Sequence, residues 1–343
     1  MKILIISQNP WREDNSFGNS FSNIFGGMKD VEIANIYCGP GLPNTKVVKK
    51  FYQTNERMLV KNLFSAKSKS GYVLSDVQSD LIKENNDDLK KMKFFKKNRF
   101  QFFFWIREII WRIGRWDSTE MKQFIDDFQP DIIFLPIFYW PYMNRIGLFV
   151  KKYTNKKMVG YISDDHYSLR QHSYNPFFWG ERLIFRKYVK NAIDKCEILY
   201  VISDIQKQDY DKAFNKDCKL LFKGSKFADY PAIERSYSQI NKPLTLLFTG
   251  NVSSGRYKSL GLIGKALDEI NIQSTKAVLK IYSNTELNAD MKEKLLSSKS
   301  IQFCGSISFS EVKKEQKNAA VLVHVESFDL KDRLLVRQSF STK

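Results

Sequence analysis

Cysteine and histidine are scarce, with four of the first and three of the second in 343 residues. Cys38, Cys196, Cys218 and Cys304 stand far apart, and no pair has metal-ligand or redox spacing. This argues against a zinc module, a dithiol redox centre or a disulfide scaffold, and the four read as isolated thiols in a reducing compartment. No hydrophobic run approaches the length that crosses a bilayer. The apolar stretch after Met1-Lys2 is too short for a secretion signal. No G-x-G-x-x-G follows the first apolar run, near Ser7–Phe17, which counts against a nicotinamide enzyme, and no P-loop is present. Acidic residues are outnumbered, 37 against 55 basic, for a net charge of +18. That excess favours a polyanionic partner: nucleic acid, an anionic membrane surface or phosphorylated small molecules. What is plentiful is core material, with 43% hydrophobic and 14% aromatic residues, and the length suggests about two domains.

The chain opens on KILIIS (Lys2–Ser7), a buried-strand pattern of the kind that begins doubly wound parallel sheets. A polar loop, a helix over Phe21–Met28 and a strand over Val31–Ile36 complete a right-handed crossover unit. Gly18, Asn19 and Ser20 would then form a loop at the carboxyl end of the first strand, where such sheets bind ligands, or simply cap a helix. Residues 41–92 are polar and lysine-rich and read as loop with short helices. Lys93–Trp116 mixes Trp105, Trp111, Trp116 and several phenylalanines with seven basic residues. It reads either as an interfacial helix whose tryptophans touch an anionic membrane or as a core helix with a solvated basic face. Strands are expected at Asp131–Pro136, Lys157–Ser163, Glu197–Ile202 and Lys219–Phe222. The second of these runs, Lys157–Ser163, ends in Asp164-Asp165-His166, either crevice residues or caps of the next turn.

Polar residues 224–242 read as a linker between a domain over 1–223 and a second over 243–343. The second opens on LTLLFTGNVSSGRYKSLGLIGKALDEI (Leu244–Ile270), a buried strand, a glycine turn, a short polar loop and a helix. Gly250 permits the sharp turn. The loop delivers Asn251, Arg256 and Lys258 to the helix N-terminus, where free N–H groups and the helix dipole favour an anion. A guanidinium fork beside an ammonium suits a diphosphate; an ordinary turn with two solvated cations fits the same pattern. Further strands at Ala277–Tyr282, Ile301–Phe303 and Ala320–Val325 make a second parallel sheet.

The fold class expected is α/β, with two Rossmann-like doubly wound parallel-sheet domains, the second incomplete. This arrangement resembles the GT-B glycosyltransferases, and more closely the family-4 group of retaining sugar transferases. The resemblance rests on FTGN at Phe248–Asn251, Arg256 and Lys258, HVESF at His324–Phe328, SFSTK at Ser339–Lys343, PDIIFLP at Pro130–Pro136 and SDDH at Ser163–His166. It implies transfer of a hexosyl group from a nucleoside diphosphate sugar, without cofactor or metal. Gly250, Asn251, Arg256, Lys258 and Glu326 would hold the donor. Gly18–Ser20 would line the acceptor side, and Asp164, Asp165 or His166 would act on the acceptor hydroxyl. Two departures stand out: Gln338 falls where the family has a first glutamate, and the second would lie beyond Lys343. The sequence therefore reads as truncated and is expected to turn over little. With the basic aromatic segment, the resemblance suggests a lipid-linked saccharide acceptor in surface polysaccharide synthesis, at the inner face of the cell membrane, with no nucleic-acid partner. A basic nucleic-acid-binding protein and a non-catalytic peripheral membrane scaffold are the alternatives.

Overall fold

The computed structural model describes residues 1–65, 67–74, 101–224 and 243–338. The expected linker beyond Gly224, the SFSTK motif and the basic residues of Lys93–Arg99 lie outside them. The described residues form two compact units, one of residues 1–169, 173–224 and Gln338, the other of residues 243–337 with Arg170–His172.

The first unit is built on an eight-stranded sheet in the order β4-β3-β2-β1-β5-β6-β7-β8. Its strands are β1 (Lys2–Ser7), β2 (Glu32–Tyr37), β3 (Lys50–Thr54), β4 (Gly71–Val73), β5 (Ile132–Pro136), β6 (Lys157–Ile162), β7 (Ile198–Val201) and β8 (Lys219–Leu220). All pair in parallel except β3 with β4. Helices α1 (Ser16–Phe25), α2 (Glu56–Phe64), α3 (Gln101–Ile113), α4 (Thr119–Phe128), α5 (Pro141–Thr154), α6 (Pro176–Asp194) and α7 (Asp204–Phe214) accompany it. The pleat sorts the strands into two cores: Ile3 and Ile5 of β1 join Phe21, Phe25 and Trp11, while Leu4 and Ile6 join Trp111, Phe124 and Ile146. Such two-faced burial is why these strands read as continuous apolar runs. Along α1, Phe17, Phe21 and Phe25 recur every four residues and pack around Trp11 at ring separations of 5.6–6.2 Å.

Four expectations need correction. Helix α1 begins at Ser16, so Gly18, Asn19 and Ser20 are helical rather than a loop. Asn15 sets that start, its side chain accepting the Gly18 N–H at 2.7 Å. Gly18 is needed because a Cβ there would stand 2.0 Å from the Arg12 carbonyl oxygen. Strands β3 and β4 fall in a region read as loop. Gln53 made β3 look polar; it is fully buried, donating to Gly39 O at 2.9 Å and accepting from Tyr72 Oη at 2.6 Å. Trp111, expected at a membrane, is fully buried. It stacks on Tyr142 at 4.5 Å and donates to Glu56 Oε1 at 2.8 Å. Trp116 is partly buried against the same core, edge-on to Phe149 at 5.3 Å.

The second unit holds a four-stranded parallel sheet in the order β11-β10-β9-β12. Its strands are β9 (Leu244–Thr249), β10 (Ala277–Tyr282), β11 (Ile301–Gly305) and β12 (Val321–Leu322), with helices α8 (Arg256–Ile270), α9 (Ala289–Leu296), α10 (Phe309–Asn318) and α11 (Leu330–Val336). Leu260 and Leu267 of α8 pack with Phe248, Leu279 and Ile281, whereas Ile270, expected on the same face, is 51% exposed. β12 forms a shorter ladder than expected, two residues paired with Leu246 and Leu247. Among the described residues no helix is long and apolar enough to cross a membrane.

Candidate functional site

In the second sheet the chain runs outward from β9 to β10 and β11, then returns to β12 on the other side of β9. This makes the carboxyl ends of β9 and β12 the topological switch point, the place where open α/β sheets bind ligands. Two segments meet there. After β9, Gly250 turns with φ 140°, and its N–H bonds Tyr282 O at 2.9 Å. Asn251 Oδ1 accepts the Ser253 N–H at 2.6 Å, and fully buried Val252 pins the loop to the core. Gly255 then enters α8 in the left-handed region, φ 72°, under the segment that follows β12. A Cβ on Gly255 would stand 2.1 Å from Ser327 Oγ and 2.4 Å from Asp332 Oδ2, so only glycine fits this crossing.

The segment after β12 supplies the other half. Ser259 Oγ donates to Glu326 O at 2.7 Å, tying it to the first turn of α8. Arg256 then meets Glu326 through two parallel bonds, Nε to Oε2 at 2.9 Å and Nη2 to Oε1 at 3.0 Å. Lys258 Nζ lies 2.6 Å from Asp329, both side chains half exposed. His324 Nε2 is 3.7 Å from Glu326 Oε1. The structure thus brings together Gly250, Asn251, Arg256, Lys258 and Glu326, the whole expected donor set, and adds Asp329, Ser259 and Ser327. Two carboxylates engage the two cations. The pairing through Nε and Nη2 leaves Arg256 Nη1 without an acceptor among the described residues, while the Arg256, Tyr257 and Lys258 N–H groups bond the carbonyls of Ser253, Val252 and Gly255 at 3.4, 3.0 and 3.0 Å. Gln338, aligned by the resemblance with a donor-contacting glutamate, lies instead in the first unit, where its side-chain Nε2 donates to Asp209 at 2.8 Å and its backbone carbonyl accepts from Ser203 Oγ at 2.7 Å.

In the first unit, Asp164, Asp165 and His166 follow β6 as expected, but they divide into different roles. Asp165 is a structural carboxylate: it accepts the N–H groups of Tyr167 and Ser168 at 3.2 and 2.8 Å and pairs with buried Arg182 at 3.3 Å. Arg182 also donates to the carbonyls of Asp165 and Ser168, locking the turn. The catalytic role expected of Asp165 is corrected on this ground, since its lone pairs are taken up by the turn. Asp164 is exposed, and Gln206 of α7 holds its carbonyl at 3.3 Å. His166 is half-buried, 6.4 Å from the Tyr139 ring, and Tyr139 Oη bonds buried Glu181 at 3.1 Å. Burial pulls the His166 imidazole below its ordinary value, with Asp164 opposing, so it is neutral near neutral pH. Asn19 lies apart in α1, its side chain accepting from Lys223 Nζ. Glu181, Arg182 and Tyr139 escaped sequence reasoning because helix and loop positions 17–42 residues away give no local sign of contact. Among the described residues no group of three His, Cys, Asp or Glu could hold a metal.

No protein-family model and no curated protein sequence matches the chain. Solved structures do. The chain is similar to Anabaena Alr3699/HepE in complex with UDP and glucose, with TM-score 0.54 and 10% identity over 95% of this chain and 74% of that one. It is similar also to an E. coli trehalose-6-phosphate structure bound with UDP-2-fluoro glucose, with TM-score 0.53 and 10% identity over 99% of this chain and 82% of that one. At such identity the likeness speaks to the fold, and it agrees with two predominantly parallel sheets in which β1 and β9 are interior strands. The chain has the GT-B fold, built of two Rossmann-like α/β units.

Proposed function

We propose that this protein transfers a sugar from a nucleoside diphosphate sugar to a saccharide acceptor, with the donor held at the switch point of the second unit. The observation that carries the reading is Arg256, aimed across that switch point at Glu326 from the first turn of a helix. As the glycosidic bond to the donor breaks, negative charge builds on the departing diphosphate. Arg256 Nη1, the positive end of the α8 dipole and Lys258 are placed to stabilise it. Lys258 exchanges Asp329 for phosphate at small cost, because that pair is solvent-screened. Protein cations thus do the work that a metal does elsewhere. In the first unit, neutral His166 accepts the acceptor hydroxyl's proton, with exposed Asp164 orienting it. Retention of configuration and a hexosyl donor rest on the resemblance alone. The test is release of nucleoside diphosphate from a panel of nucleotide sugars, dependent on added saccharide acceptor. Failure of the intact protein to bind any nucleoside diphosphate or its sugar would overturn the reading.

The acceptor we propose is lipid-linked, met at the inner face of the cell membrane during surface polysaccharide synthesis. What supports it is a stripe on α3: Ile106, Ile109 and Ile113 are 36%, 54% and 58% exposed, with exposed Arg112 and Arg115 alongside. Trp105, 36% exposed and 5.6 Å from the Phe185 ring, borders it. An apolar stripe flanked by cations suits an anionic bilayer surface. In flotation with phosphatidylglycerol-containing vesicles, Ile109→Ser with Ile113→Ser should lower partitioning at least about tenfold, each isoleucine forfeiting roughly 1.5 kcal/mol of burial. Equal flotation of variant and parent would remove the membrane contact.

A further inference from the structure

A second anion-directed feature lies in the first unit, at the β3–β4 edge of the sheet. A cleft of about 420 Å³ opens between Asn62 near the end of α2, residues 67–70 that lead into β4, and residues 115–120 that carry the chain from α3 into α4. Three cations line it: Lys67, Lys69 and Arg115. Of the two acids present, Glu120 stands 4.0 Å from Lys69, and Asp117 is drawn to Lys122 at 3.9 Å. Lys67 and Arg115 pair with no carboxylate among the described residues. The cleft also receives the N-terminus of α4. Ser118 Oγ accepts the Met121 N–H at 3.2 Å, and among the described residues the N–H groups of Thr119 and Glu120 remain as unpaired donors.

The cleft wall carries one buried polar atom, Asn62 Oδ1, that has no partner among the described residues. Ser70 beside it is 2% exposed, its carbonyl accepts Thr54 Oγ1 at 2.7 Å, and its hydroxyl makes no hydrogen bond among the described residues. Asn62 donates through Nδ2 to Ser68 O, while its Oδ1 is buried and unpaired. Buried polar groups are normally hydrogen-bonded, and an unmade bond is costly. The hydroxyl and the two helix amides can donate to phosphate oxygens, and the amide oxygen can accept from a hydroxyl beside the phosphate. We propose that this cleft binds the phosphate of a hydroxyl-bearing phosphate ester, supplied either free in solution or as a phospholipid headgroup. Arg115 follows directly on the exposed end of α3 at Ile113, so the second source would meet the cleft from the proposed bilayer face.

The test uses the full chain in two arms: titration with glycerol 3-phosphate, and flotation with phosphatidylcholine vesicles with and without phosphatidylglycerol. Lys67→Ala with Arg115→Ala removes two exposed, unpaired cations and should leave the melting temperature unchanged. Thr119→Pro removes a single N–H at a position that favours proline, since Ser118 before it is extended at φ −68°, ψ 164°. Both variants should weaken binding in at least one arm, the double variant by about tenfold or more, the loss of one charge-assisted hydrogen bond. Lys152→Ala, an exposed cation elsewhere, should bind as the parent does. Loss in the first arm identifies a soluble ester. Loss only of the preference for phosphatidylglycerol identifies a headgroup. UDP binding, which belongs to the second unit, should be unchanged in every variant. The proposal is overturned if the parent binds neither probe, or if both variants bind like the parent.

Discussion

Replacing Trp111 by alanine is expected to destabilise the first unit by about 3–5 kcal/mol, the range for emptying a large buried aromatic site. The ring is fully buried and stacks on Tyr142 at an interplanar angle of 12°. Its N–H bonds Glu56, the same carboxylate that holds Arg107, whose guanidinium in turn donates to Tyr142 Oη at 2.7 Å. Truncation therefore opens a cavity and leaves a partly buried ionic cluster short of a donor. Trp105→Ala, on the exposed side of the same helix, should cost far less. Urea unfolding of the two variants checks the contrast, and a Trp111 variant within about 1 kcal/mol of the parent would contradict the placement, being what an exposed site shows.

The second large effect is expected in ligand binding. Arg256→Ala should weaken UDP binding by about 1.5–3 kcal/mol, roughly 10- to 150-fold, because a guanidinium bond to a charged oxygen is lost from a site only 19% exposed at that side chain. Lys258→Ala should lose less, because Lys258 and Asp329 are 46% and 49% exposed and solvent screens them. The order of the two effects is itself informative: a larger loss at Lys258 would mean that the phosphates lie outside the switch point. Calorimetry on the two single variants reads both. An unchanged dissociation constant for Arg256→Ala would remove it from the donor site.

Much of the scaffold was legible because long-range burial writes itself into local runs. β1, β9 and β10 begin and end where their apolar runs do. Composition marked out the α3 stretch and left it as either an interfacial or a core helix, because tryptophan and arginine were not sorted by face. At 100° per residue, Trp111 faces nearly opposite the Ile106–Ile109–Ile113 stripe, so the sequence did contain the division that the structure shows. β3 was hidden by Lys50, Gln53 and Thr54, polar residues whose partners are distant in sequence. The start of α1 was hidden by Gly18, which looks like a helix breaker until the Arg12 carbonyl is placed against it. The donor residues after β9 were visible as a glycine turn with cations. Their pairing with Glu326 and Asp329, some 70 residues on, required the strand order that lays β12 beside β9. For the same reason Asp165 looked available, since nothing near it announces Arg182.

The central claim is that the turn between β9 and α8, with the segment after β12, cradles a nucleoside diphosphate. Hydrogen exchange of the intact protein with and without saturating UDP reads it directly. Slowed exchange confined to Gly250–Lys258 and His324–Asp329 is the expected result. Protection elsewhere with these two segments unaltered would contradict it.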